Sequence, residues 1–129
     1  MKKLISNLRE WIGIPRMTSP EQLYGKWKVS VVGGVLINNV DFTHDMKKFY
    51  LTLGAEGQFQ CEADDSILSK IWPLSGPYRI SVSNQQLVLG EEISLRVGKV
   101  KKNSISLSYT YRPTPHSHPM VFTFNLVLS

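Results

Sequence analysis

The sequence predicts an all-β fold, an eight-stranded antiparallel up-and-down β-barrel preceded by a short N-terminal amphipathic helix. Three observations carry that expectation. After Gly25 apolar and polar residues alternate with period two almost to the C-terminus, the pattern of strands buried on one face. Turn-forming residues separate the alternating runs at short intervals, which makes sequential strands antiparallel neighbours. Strands of this kind lose their exposed, association-prone edges most economically by closing into a cylinder.

The elements follow in order. Leu4, Ile5, Leu8, Trp11 and Ile12 share one face of a 3.6-residue period, and Gly13 with Pro15 ends that helix. "TSPEQL" is a second helical start, with Ser19 as N-cap, Pro20 at the first helical position and Gln22 reaching back; Gly25 limits it to one turn. The strands are then read from their apolar faces: Trp27, Val29 and Val31; Phe49, Leu51 and Leu53; Phe59 and Cys61; Tyr78, Ile80 and Val82. Leu87 and Leu89, then Ile93, Leu95 and Val97, then Ile105, Leu107, Tyr109 and Tyr111, and last Phe122, Phe124, Leu126 and Leu128 complete the set. Two connections are long: 33–47, opened by Gly33-Gly34, and 63–76, where Ile67, Leu68, Ile71 and Trp72 cluster as on a helical turn and can act as a lid.

A chain of 129 residues with 42% hydrophobic and 19% charged residues has enough apolar material for one core and lacks the composition of disorder. It divides into an amphipathic helix and capping turn over 1–22 and a barrel domain over 23–129. No apolar run approaches the roughly 20 residues of a membrane-spanning helix. Asn7, Arg9 and Glu10 interrupt any signal-peptide apolar region, so retention in the cytosol is expected. With Cys61 alone there is no internal disulfide. The net charge of +5 suits anionic surfaces but equally serves solubility.

"LYGKWKV" at 23–29 sets an indole at the head of the first strand, where Trp27 can plug one end of the cylinder while Gly25 permits close backbone approach. This stretch resembles the G-x-W signature of the lipocalins and the wider calycin barrels. "LTLGAEGQF", "GPYRISVSNQQLVL" and "ISLRVGKVKKNSISLSY" are similar, in order and spacing, to the strand pairs of small bacterial lipocalin-like domains, and the likeness covers residues 23 to 111. The resemblance implies an eight-stranded barrel that often holds a small apolar ligand. The chain departs from the secreted carriers in lacking a T-D-Y-like second signature and an Arg after the last strand.

A barrel of this size is either filled by its own side chains or holds one small ligand. The residues expected to line the interior and any hydrophobic ligand are Trp27, Val29, Phe49, Leu51, Phe59, Tyr78, Ile80, Leu95, Leu107, Tyr109, Phe122 and Phe124. Leu4, Leu8, Trp11, Ile12, Ile71 and Trp72 are the lid or interaction residues, through which a protein partner or a membrane surface is engaged. No cofactor is expected. His116 with His118, and Asp41, His44 and Asp45, are the only metal-like groupings; neither has a closed ligand pattern, so no metal is expected. Cys61 lacks a basic neighbour, and Asp64-Asp65 and Glu91-Glu92 are turn acids, so the protein is expected not to be an enzyme. Lys99, Lys101 and Lys102 lack interleaved aromatics, so nucleic acid is not expected as a partner. The reading is a non-enzymatic binder of a small hydrophobic molecule. The alternative is a protein-interaction module with a side-chain-filled barrel, of inhibitor, immunity or assembly type.

Overall fold

The computed structural model describes residues 16–46, 48–63 and 73–129. The expected helix over residues 1–12 and the apolar cluster at 67–72 lie outside the described residues. After one 3-10 turn at Pro20–Leu23, the strands are β1 (Gly25–Val29), β2 (Val35–Ile37), β3 (Val40–Asp41), β4 (Tyr50–Leu53) and β5 (Gln58–Glu62). They continue as β6 (Ser75–Ser81), β7 (Gln86–Leu89), β8 (Ile93–Lys101), β9 (Ser104–Tyr111) and β10 (Met120–Leu128).

All pairings are antiparallel, in the order β1-β4-β5-β6-β7-β8-β9-β10, and β10 returns to β1 through Trp27–Leu128, Lys28–Val127 and Val29–Leu126. That last ladder closes an eight-stranded up-and-down barrel. The predicted alternation holds in detail: β5 runs exposed, buried, exposed, buried, exposed, and the first five residues of β8 alternate buried and exposed. Because the side-chain period is two, each inward row joins one core, from Trp27 and Leu51 round to Leu107, Phe124 and Leu126.

Three local features depart from the sequence reading. First, the 33–47 connection is not all loop: β2 and β3 form a hairpin that pairs with β10 through Val35–Phe124 and Ile37–Phe122. Its turn, Asn38-Asn39, has positive φ at both residues (50° and 66°), the backbone that favours Asn in two-residue hairpins. The Asn38 side chain is also committed, its Oδ1 accepting the Val121 N–H at 2.9 Å.

Second, β1 ends at Val29, and Val31 does not face inward; it is 92% exposed and Val32 84%. The Ser30 N–H still reaches the Asn125 carbonyl at 2.9 Å, then the chain leaves the wall and returns at Gly34, whose carbonyl accepts the Asn125 N–H at 2.7 Å. Five residues, 30–34, thus lie opposite the single residue Asn125, and β1 and β2 run end to end along β10. Third, β8 continues past Val97 through a bulge to Lys101, with the bulged Lys99 N–H donating to Ser106 Oγ at 2.8 Å.

Candidate functional site

The two ends of the barrel differ in how they are finished. One end is closed by the segment before β1. Trp27 is fully buried, and its Nε1–H donates to the Leu23 carbonyl at 2.8 Å, tying the indole to the turn that lies over it. Leu23 and Met17 are buried with it. Gln85, at the β6–β7 turn, holds Met17 by both ends of its amide: Oε1 accepts the Met17 N–H at 3.1 Å and Nε2 donates to the Met17 carbonyl at 2.9 Å. The 3-10 turn itself is fixed by Gln22 Oε1, which accepts the backbone N–H of Thr18 at 2.6 Å and of Ser19 at 3.1 Å. Gly25 (φ 131°) passes so close to Leu128 that a Cβ there would sit 3.1 Å from the leucine Cδ2. The expectation of a tryptophan stopper is met, with its polar handle satisfied as a buried indole requires.

Toward the other end the interior is lined by a row of aromatic rings. Phe49 stacks on Phe124 at 5.2 Å between centroids, Phe124 on Phe122 at 6.1 Å, and Tyr109 lies 6.3 Å from Phe122 and 6.5 Å from Tyr111. The phenylalanines are fully buried, whereas Tyr109, Tyr111 and Met120 are half-buried against the core. The strand pairing changes toward this end. The β8–β9 ladder runs from Lys101–Ser104 to Arg96–Ser108 and stops there. β8 follows β7 back to Ile93, while β9 follows β10 out to Tyr111. The β8–β9 ladder therefore ends short of residues 93–95 and 109–111, while Ile93 and Leu95 stay buried in the core. Glu92 immediately precedes β8 and is exposed, and Tyr109 and Tyr111 continue the inward row of Ile105 and Leu107 on β9. Burial raises the Tyr109 pKa above the ordinary phenol value, with Tyr111 and the negative charge of Glu92 adding to it, so this hydroxyl stays protonated at neutral pH.

On the outer wall a groove of about 680 Å³ runs between the end of β1 and the turn after β3, lined by Lys28, Ser30, Val31, Asp41 and His44 among others. Here Asp41 is structural. Its Oδ1 accepts both the backbone N–H and the hydroxyl of Thr43, at 2.8 and 2.5 Å, which holds the Asp41 carboxyl below its ordinary pKa. The buried Thr43 Oγ1 in turn accepts the Val35 N–H at 3.1 Å.

The structure places the residues named from sequence as follows. Trp27, Val29, Phe49, Leu51, Phe59, Tyr78, Leu95, Leu107, Phe122 and Phe124 are buried in a single core, and Ile80 and Tyr109 pack against it half-buried. Leu4, Leu8, Trp11, Ile12, Ile71 and Trp72 are outside the described residues. His116 and His118 are exposed in the β9–β10 loop, as are Asp41, His44 and Asp45 after β2, and no group of three or more metal-ligating side chains occurs among the described residues. Among the described residues no helix is long and apolar enough to cross a membrane. Sequence reasoning did not single out Asn125, Thr43 or the end of the β8–β9 ladder at Arg96–Ser108. Glu92 reads as a hydrated turn acid, and nothing in a period-two pattern reports where a ladder stops. Comparison with protein-family models, curated proteins and solved structures finds no match to this chain.

Proposed function

We propose that this protein is a non-enzymatic, lipocalin-like barrel that binds a small hydrophobic molecule at the end away from Trp27, beside the aromatic row of β9 and β10. One observation carries the reading: the Trp27 end is sealed by buried residues and satisfied hydrogen bonds, while at the other end Tyr109, Tyr111 and Met120 are inward-facing yet half-buried. Partly buried apolar and aromatic surface beside a few polar groups is the composition of a ligand seat. The G-x-W start of β1 supports the lipocalin-like assignment. Because Trp27, Phe49, Phe59, Phe122 and Phe124 fill the interior beneath the seat, the ligand lies near the rim. The test is native mass spectrometry of the full chain together with displacement of a fluorescent fatty-acid analogue. A one-to-one adduct and competitive displacement support the reading; neither an adduct nor displacement overturns it.

A second reading, a protein-interaction module, is favoured by the 30–34 excursion, which presents Val31 and Val32 at 92% and 84% exposure on a base clamped by Asn125. Two β-branched apolar side chains held in water by a fixed backbone suit insertion into a partner's pocket. A stoichiometric complex that is lost in the V31D/V32D variant supports it; a complex unaffected by that variant counts against it.

A further inference from the structure

We propose that the outer wall formed by β8, β9 and β10 docks on an anionic phospholipid bilayer, with Val31 and Val32 entering the acyl boundary. The inference does not depend on the ligand seat, and it gives the 30–34 excursion a bilayer in place of a partner's pocket. It begins with where the charge lies. Residues 93–129 contain five Lys and Arg, namely Arg96, Lys99, Lys101, Lys102 and Arg112, and no Asp or Glu. Residues 1–92 contain ten of each sign, so the whole net charge of +5 belongs to the last three strands and their connections.

The fold turns that stretch into one surface. Successive ladders set Lys101, Ser104, Val127 and Lys28 side by side across β8, β9, β10 and β1, and set Arg96 beside Ser108 and Thr123. Between these two rows the Lys99 N–H donates to Ser106 Oγ at 2.8 Å, Ser106 pairs with Asn125, and Asn125 Nδ2 donates to the Gly33 carbonyl at 2.7 Å. That middle row ends on the excursion itself, so Val31 and Val32, 92% and 84% exposed, stand at the margin of the cationic wall. Arg96, Lys99, Lys101 and Lys28 are all exposed, and their long stems bring the charged heads to a common plane from a curved wall. Followed toward β1, the rows reach their first acids only at Asp41 and Glu62, each two strands further on.

Many polyanions would answer the charge, and the apolar tip decides among them. Nucleic acid offers phosphates in water and nothing to cover two aliphatic side chains, and no aromatic ring stands on the outer face of β8–β10 to stack on a base. An anionic leaflet supplies both needs: negative headgroups at the plane of the cations, and an apolar layer beneath for the valines.

Co-sedimentation of the full chain with vesicles tests this, using phosphatidylcholine alone and phosphatidylcholine with about 30% phosphatidylserine. Fluorescence anisotropy with a labelled duplex DNA tests the competing polyanion. The expected result is binding to the phosphatidylserine vesicles only, weakened about tenfold or more when salt rises from about 0.1 to about 0.5 M. K99Q/K101Q is expected to weaken binding roughly tenfold or more, at about fivefold per cation. V31S/V32S, which changes no charge, should weaken it about threefold or more. R79E, which lowers the net charge by the same amount as K99Q/K101Q but from β6 on the opposite wall, should leave binding within about twofold of wild type. If R79E weakens binding as much as K99Q/K101Q, net charge and not this wall is responsible, and the proposal is overturned. Wild-type binding by either K99Q/K101Q or V31S/V32S also overturns it. Tighter binding to duplex DNA than to the vesicles overturns the choice of lipid, and no binding to phosphatidylserine vesicles overturns the whole.

Discussion

Single side chains in this protein hold the backbone as often as they fill space. Trp27 does both: its ring is buried, and its Nε1–H satisfies the Leu23 carbonyl. W27F keeps most of the apolar bulk but leaves that carbonyl without its donor, so a loss of about 1–3 kcal/mol is expected in urea denaturation. W27A adds a cavity and should cost about 3–5 kcal/mol. The indole's position was legible because a large aromatic begins an alternating run; its hydrogen bond was not, since that depends on where the preceding turn folds back. Asp41 illustrates the opposite case. Read as a candidate metal ligand, it spends its carboxylate on Thr43. Hydrogen bonding to the ionised form lowers its folded-state pKa, so its contribution is complete above the unfolded value near 3.9 and is lost as pH falls through the folded value. Denaturant titrations from pH 7 to pH 3 should show wild type more stable than D41N at neutral pH, with the difference shrinking on the acid side.

At the level of elements, the strands with clear alternation were predictable and the interruption of the first wall segment was not. Alternation from Trp27 through Val29 extends on paper to Val31, but the chain departs at residue 30 because Asn125 clamps both sides of the excursion. Its backbone bonds Ser30 and Gly34, and its Nδ2 donates to the Gly33 carbonyl at 2.7 Å. The paired glycines have different duties. Gly33 has φ 60° and open space where a Cβ would go, whereas a Cβ on Gly34 would lie 2.1 Å from Val29 Cγ1 and 2.3 Å from the Ser30 carbonyl oxygen. G33A is therefore expected to cost about 1 kcal/mol, the penalty of a left-handed backbone for an L-residue. G34A should cost about 3 kcal/mol or more, because backbone must move. Thermal unfolding of the two variants side by side checks the ordering. The β2–β3 hairpin escaped notice because three apolar residues in a row show no period, although Asn38-Asn39 between apolar neighbours is a turn signal that could have flagged it.

For the molecule as a whole, closure joins the two ends of the sequence. β10 pairs with β9, with β1 and with β2, so a single C-terminal strand holds three others. A chain ending at residue 119 would expose the edges of β1, β2 and β9 and uncover the aromatic row, and it should be aggregation-prone, with loss of β structure by far-ultraviolet circular dichroism. Such non-local pairing also predicts folding on the millisecond-to-second scale, as in other barrels. The all-β class, the inward rows from Trp27 to Leu126 and the tryptophan stopper are legible in the residues alone, because strand burial is written locally as a period of two. Where each ladder ends, and which side chains from distant strands meet, emerges only in the folded cylinder. The end of the β8–β9 ladder at Arg96–Ser108, the stacking of Phe49 on Phe124, and the grip of Asn125 on a loop 92 residues away depend on register between distant strands. Register comes from the closed cylinder, through the relative stagger of all its strands, and no stretch of local pattern contains it.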